Sequence, residues 1–334
     1  MTVFQFFYPI LRPYWWRYLL MFQAPVVGCI YALSSNYAIK LIVDAFTDTQ
    51  VTTYTQVITP IAIYLGSLLA LETSWRISQY NWMQSQPQIR AKILSKAYNY
   101  VQGHSYEYFQ NTQSGSVISK IKGIVDYYNA IWHSVHHKVT QYFLNCLACI
   151  IGFAMININI FWFMLCWIAV FGATLFFTLK KINYCSKQTS NSKHLAIALI
   201  ADKIINIFTI FAFSKKNKEL KTLENHLFDD MAYKDKYQIK WEFAQNIVGT
   251  TLSITMLFAL FMFMIDLRIK NTIKTSDFVF VMTLSWFFIE QIWSFFVNMA
   301  EFVRNVGEFQ ASFSIIKTEH KIFDKKDCIA LKIH

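Results

Sequence analysis

Four stretches without a single Asp, Glu, Lys or Arg, residues 18–39, 51–71, 139–179 and 243–265, restrict this chain more than any motif it carries. Each reaches or exceeds the ~20 apolar residues that cross a bilayer as a helix. The third run is 41 residues long and has room for two helices. Its natural reversal is Asn157-Ile158-Asn159, where two amides interrupt the apolar sequence. A sixth span, at 278–300, is broken by one charge, Glu290. Composition agrees, because 55% hydrophobic and 15% charged residues over a length of 334 are too apolar for a soluble domain. The prediction is an all-α membrane protein with spans at about 18–39, 55–76, 137–156, 160–180, 243–265 and 278–300. Six spans return both termini to one side.

The basic residues say which side. Of 31 Lys and Arg, Lys40, Arg268, Lys270 and Lys274 alone fall on the face of the first turn. The remainder share the face of the termini, which the excess of positive charge on inner loops marks as cytoplasmic. The net charge of +11 is therefore a consequence of topology. No aromatic-basic RNA motif accompanies it, so nucleic acid is not expected as a partner. Pro9, Arg12 and Pro13 in the first 14 residues do not read as a cleavable signal peptide. The expected location is an integral position in a membrane, the inner (plasma) membrane of a bacterium, with both termini cytoplasmic. Cys29, Cys146, Cys149 and Cys166 lie in spans and Cys185 and Cys328 outside them, which implies no disulfide framework.

Between the spans lie two long gaps, 72–138 and 180–242, with few Gly or Pro outside the first tip. If each is a helix going out and another returning, arms of about 25 residues reach roughly 37 Å. Residues 111–116 concentrate Asn, Thr, Gln, Ser and Gly, which favour turns and helix caps and mark the tip of the first hairpin. In the second, the apolar, aromatic sequence 204–213 runs into charges at Lys215, Lys216, Lys218 and Glu219.

Tyr108-Phe109, Thr112, the run Ser114-Gly115-Ser116-Val117-Ile118-Ser119-Lys120-Ile121, and Asp126 resemble the first intracellular loop of ATP-binding cassette (ABC) exporters. Residues 204–219 resemble their second intracellular loop, residues 4–17 their interfacial elbow helix, and residues 305–316 the segment that leads to their ATPase domain. The resemblance implies an elbow at 1–17, a six-helix exporter-like domain at 18–318 and a tail at 319–334. It also implies that the two tips dock into an ATPase, through Tyr108, Phe109, Gln110 and Asn111 on the first and Phe211, Phe213, Ser214 and Lys215 on the second. Nowhere does the sequence hold G-x-x-x-x-G-K-[ST], the phosphate-cradling loop of nucleotide-binding domains. Cofactors are therefore expected on a partner ATPase, which would bind ATP and magnesium, and none on this chain. Further expected partners are a second copy or related membrane subunit, the lipid bilayer, and an amphipathic small molecule or lipid as substrate. The implied function is the permease subunit of an ATP-driven exporter working by alternating access as a dimer. The alternative is an ATP-independent scaffold or inactive remnant of a half-transporter.

Other residues admit two readings. His133, His136 and His137 share a helical face by spacing, yet no carboxylate or cysteine stands at a matching interval, so a wet helix is favoured over a metal site. Cys146 and Cys149 form C-x-x-C inside a span, where packing is the commoner role. Glu72 and Arg76, four residues apart, suit an ion pair at a membrane boundary or a substrate contact. Glu290, with Trp286, Phe287, Trp293 and Phe296 around it, lines a substrate cavity or packs within the bundle. In the exporters that the chain resembles, the sixth helix lines the central cavity.

Overall fold

The computed structural model describes residues 1–48, 54–112 and 114–320. Helix α1 (Val3–Leu11) leads through a 3-10 turn at Arg12–Tyr14 into α2 (Trp15–Asp48). Then come α3 (Thr55–Gln102), the short α4 (Tyr106–Asn111), α5 (Ser114–His133), a π-helical turn at Ser134–Val139, and α6 (Thr140–Ile156). Next are α7 (Ile158–Ile205), α8 (Ile207–Ala212), α9 (Lys216–Asn225), a second π-helical turn at His226–Ala232, α10 (Tyr233–Ile269) and α11 (Thr275–Lys317). Among the described residues there is no strand, and six helical stretches are long and apolar enough to cross a membrane. The fold is thus an all-α membrane architecture of six spanning helices, with two helical hairpins carried on their extensions.

The break at the end of α6 has a local cause. Asn157 leaves the helix with φ −158° and its side-chain oxygen accepts the Asn159 amide at 2.8 Å, which caps α7. A cap of this kind needs no loop, so one helix ends and the next begins within the apolar run.

Two compact units form, one from Met1–Ile156 with the chain from Asn271 on, the other from Asn157–Lys270. In the first unit α2, α3, α6 and α11 form the bundle. Small residues bring the helices close: a Cβ at Gly152 would stand 2.7 Å from Leu284 Cδ2, and one at Gly123 would collide with Ser312. Within the apolar bundle, Asn145 Nδ2 donates to Gln291 Oε1 at 2.8 Å, and both residues are buried. At the end bearing the turn between α10 and α11, Lys40 pairs with Asp277 at 2.7 Å and the Ser276 hydroxyl donates to Asp44.

At the opposite end lies a separate core. Phe6, Phe7, Ile10 and Tyr14 of the N-terminal segment are buried against Ile89, Ile93 and Ala97 of α3, Ile124 and Tyr128 of α5, and Phe309 and Phe313 of α11. Thr2 and Gln5 cap α1 reciprocally, which satisfies two of its free amides and fixes where the helix begins. Phe313 is fully buried, with the Phe6 ring edge-on to it at 5.5 Å. The N-terminal helix, the extramembrane part of the first hairpin and the last turns of α11 are therefore one aromatic-cored body.

In the second unit α7 and α10 pack side by side. Phe163 stacks on Phe263 at 6.4 Å, and Trp167 Nε1 donates to the Leu252 carbonyl at 3.2 Å. Farther along, polar ties replace apolar packing: Asp230 accepts the Ser192 hydroxyl and pairs with Lys234 at 2.7 Å.

Candidate functional site

Helix α3 has 48 residues and is about 72 Å long at 1.5 Å per residue, while the hydrocarbon core needs only ~30 Å of it. About 40 Å therefore projects beyond the membrane and carries α4 at its far end. Ser105 caps α4 by accepting the Tyr108 amide at 3.3 Å, and Gly103 and His104 make the bend before it. The cap sets which side chains of this six-residue helix point outward. Phe109 is 44% exposed and Gln110 is exposed, whereas Tyr108 turns back, stacking on His104 at 4.1 Å and packing against the aromatic core. Asn111 closes the helix. The expected group of four thus divides, with Phe109 and Gln110 free to meet a partner and Tyr108 half-buried in its own hairpin.

The second tip is bare. Asn206 interrupts α7, α8 follows, and Ser214 takes a left-handed φ of 51° that turns the chain into α9. Such a φ costs a non-glycine residue roughly 1–2 kcal/mol, so the reversal is a specified one. Phe208, Phe211 and Phe213 are 83%, 59% and 67% exposed, and Ser214 and Lys215 are exposed beside them. Lys215 Nζ lies 5.9 Å from the Phe213 ring centre, and an ion pair between Lys203 and Glu219 ties the two sides of the turn. Together the three rings form an exposed apolar patch at the end of a polar arm.

Set beside known proteins, the fold as a whole has a counterpart. The model for the ABC transporter transmembrane region matches residues 18–292. The chain belongs to this family. Among solved structures it is similar to a bacterial Atm1-family ABC exporter with ATP bound, at a TM-score of 0.74 and 13% identity, over 97% of this chain. That similarity is one of fold, and the chain spans 57% of the length of the exporter chain. No curated protein sequence matches.

As a transmembrane region of this family, the chain presents a second set of side chains on α11. Its buried face runs through Leu284, Phe288, Gln291 and Ile292, and the opposite face carries Trp286, 70% exposed, and Glu290, also exposed. Trp293 lies along the same stripe and is half-buried. An ionised carboxylate facing lipid in a helix centre costs ~2.5–3.5 kcal/mol, so this face suits water or protein better than acyl chains. Glu72 and Arg76 do pair, at 3.3 Å, and their side chains are 55% and 69% exposed on α3.

Three arrangements bring together residues that the sequence holds far apart. His136 lies on the π-helical turn, where wider spacing breaks the even face of the three histidines. Its Nε2 donates to the Met21 carbonyl at 2.8 Å, while His133 and His137 stack on each other, and His137 on Trp75. Lys138 pairs with Glu301 of α11 at 2.8 Å, 163 residues away. His104 meets His320 just past α11, with ring centres 4.6 Å apart. Each joins residues remote in sequence, and only the isolated polar residue in an apolar neighbourhood could have hinted at it. Cys146 and Cys149 lie on α6, and all five cysteines among the described residues are free; Cys328 lies outside them, as do residues 321–334 of the expected tail.

Proposed function

We propose that this chain is the membrane-spanning permease subunit of an ATP-driven exporter, acting as a dimer with ATPase domains on a separate chain. The observation that carries the reading is the exposure of Phe109 and Phe213 at tips standing far beyond any hydrocarbon their arms could occupy. ATP and magnesium belong to the partner ATPase, whose closure would pull on the tips and tilt the helices between inward- and outward-open states. The α11 stripe of the exposed Trp286 and Glu290 and the half-buried Trp293 gives the dimer its cavity wall and favours an amphipathic or lipid-like substrate. The membrane is the bacterial inner membrane, with both termini and each tip in the cytoplasm.

The test uses Phe109→Ala and Phe213→Ala in native membranes. Truncating such an anchor costs an interface ~2 kcal/mol or more. Both variants are expected to insert and dimerise normally, to retain roughly thirtyfold less ATPase on purification, and to lose transport. Unchanged ATPase retention would remove the coupling role, and absence of any ATPase from wild-type preparations would favour the scaffold alternative.

A further inference from the structure

The chain beyond α11 is strapped to the first tip. Tyr100 Oη donates to the Thr318 carbonyl at 2.8 Å, and His320 Nε2 donates to the Tyr100 carbonyl at 2.8 Å, which fixes that imidazole's tautomer. The approach is close enough that a Cβ on Gly103 would stand 2.8 Å from His320 Cε1. Beside this strap opens a cleft of about 190 Å³, lined by His104, Glu107, Tyr108, Thr112, Thr318 and Glu319.

Three features of the cleft point to one ligand chemistry. Among the described residues its lining has two carboxylates and neither lysine nor arginine. It has aromatic faces, since the His104 ring stacks on Tyr108 within 20° of parallel. And His104, only 8% exposed, has an Nε2 with no hydrogen-bond partner among the described residues. Burial and the neighbouring His320 hold the His104 imidazole below its usual value, so at neutral pH it is uncharged and one ring nitrogen can accept a proton donor. A metal ion is a poor match, because no group of three metal-binding side chains occurs among the described residues. A lipid headgroup cannot reach, because the cleft lies at the end of α3 farthest from the membrane. What fits is a planar cation that stacks on rings and donates in several directions at once, a guanidinium rather than an ammonium.

We infer that the cleft between α4 and the strap is the socket for an arginine side chain of the partner ATPase, held by Glu107 and Glu319, stacked against Tyr108 and hydrogen-bonded to His104. This rests on the coupling role proposed above and adds to it. The socket is built jointly from the first tip and the exit of α11, so an arginine seated there grips both.

The experiment places the photo-cross-linker benzoylphenylalanine at Thr112, and separately at Phe109, in the full chain in native membranes. Cross-linked peptides are then sequenced by mass spectrometry. The expected product at Thr112 is an ATPase peptide with an arginine within a few residues of the cross-link. Changing that arginine to Gln should lower the yield about tenfold, and Glu107→Gln with Glu319→Gln should do the same. ATPase capture at Phe109 but not at Thr112 overturns the socket and leaves the coupling reading standing. So does a Thr112 product without a basic residue, a yield indifferent to either change, or a cross-link into residues 321–334 of this chain. Capture of no ATPase at either position overturns the coupling reading itself.

Discussion

His104 has the neighbours of a pH sensor. Facing it are His320 from the strap, Tyr100 from α3, Tyr108 and Glu107 from α4, and Glu319 at the cleft rim. Because its folded-state value is lowered, the packed state binds fewer protons than the open one. Its contribution is therefore present above the ordinary imidazole value of ~6.5 and is lost as pH falls from there through the lower folded value. Spin labels at Tyr106 and Lys317 should report a narrow distance distribution at pH 7.5 that broadens at pH 5.5, and His104→Phe, which keeps a ring in the stack, should flatten that response. Neighbouring residues need not share a fate. Tyr108 and Phe109 stand side by side in the sequence and look alike there, yet successive side chains on a helix point about 100° apart. One faces the hairpin's core and the other faces out. Tyr108→Ala should accordingly raise protease sensitivity of the arms without any ATPase present, whereas Phe109→Ala should not.

Helices α2, α3, α6, α7, α10 and α11 were legible because hydrocarbon tolerates so little else: some 20 residues with no charge, or with the single Glu290 of α11, name a span with almost no help from context. The hairpin tips were legible through turn-forming residues and aromatic clusters. What stayed hidden was how the elements close on one another, since lipid-facing and protein-facing positions in a membrane helix are equally apolar. Gly123 and Gly152 carried no visible instruction, though each permits a helix contact. Gly123→Val should force α5 away from α11 at Ser312 and destabilise the first hairpin by about 1–3 kcal/mol, measurable as faster proteolysis of the arm with the spans still inserted. Phe313, among residues that resembled the segment leading to an ATPase domain, turns out to be at the centre of the N-terminal body. Phe313→Ala should cost about 3–5 kcal/mol there and free α1, seen as new accessibility of a cysteine placed at Phe7.

For the molecule as a whole, the α11 stripe decides whether one copy suffices. Glu290 is exposed in the single chain, at a depth where lipid would penalise it. A cysteine at Trp286 should therefore form a disulfide with a second copy, or with a related subunit, in native membranes, and Glu290→Leu should leave folding intact while impairing transport. A clean monomer in mild detergent and in nanodiscs would contradict the dimer. The division into two units bears on how the protein is made. The first unit is discontinuous, because 114 residues from Asn157 to Lys270 intervene before α11 arrives. At 5–20 residues per second, a ribosome needs roughly 6–23 s to make that insert. Throughout that interval Gln291, which accepts from the Asn145 amide, has not been translated. An unanswered Asn145 Nδ2 inside a membrane-spanning helix is thus a timestamp. It distinguishes a nascent or truncated chain from a finished one, and a membrane protease that recognised it would discard the former without inspecting anything outside the bilayer.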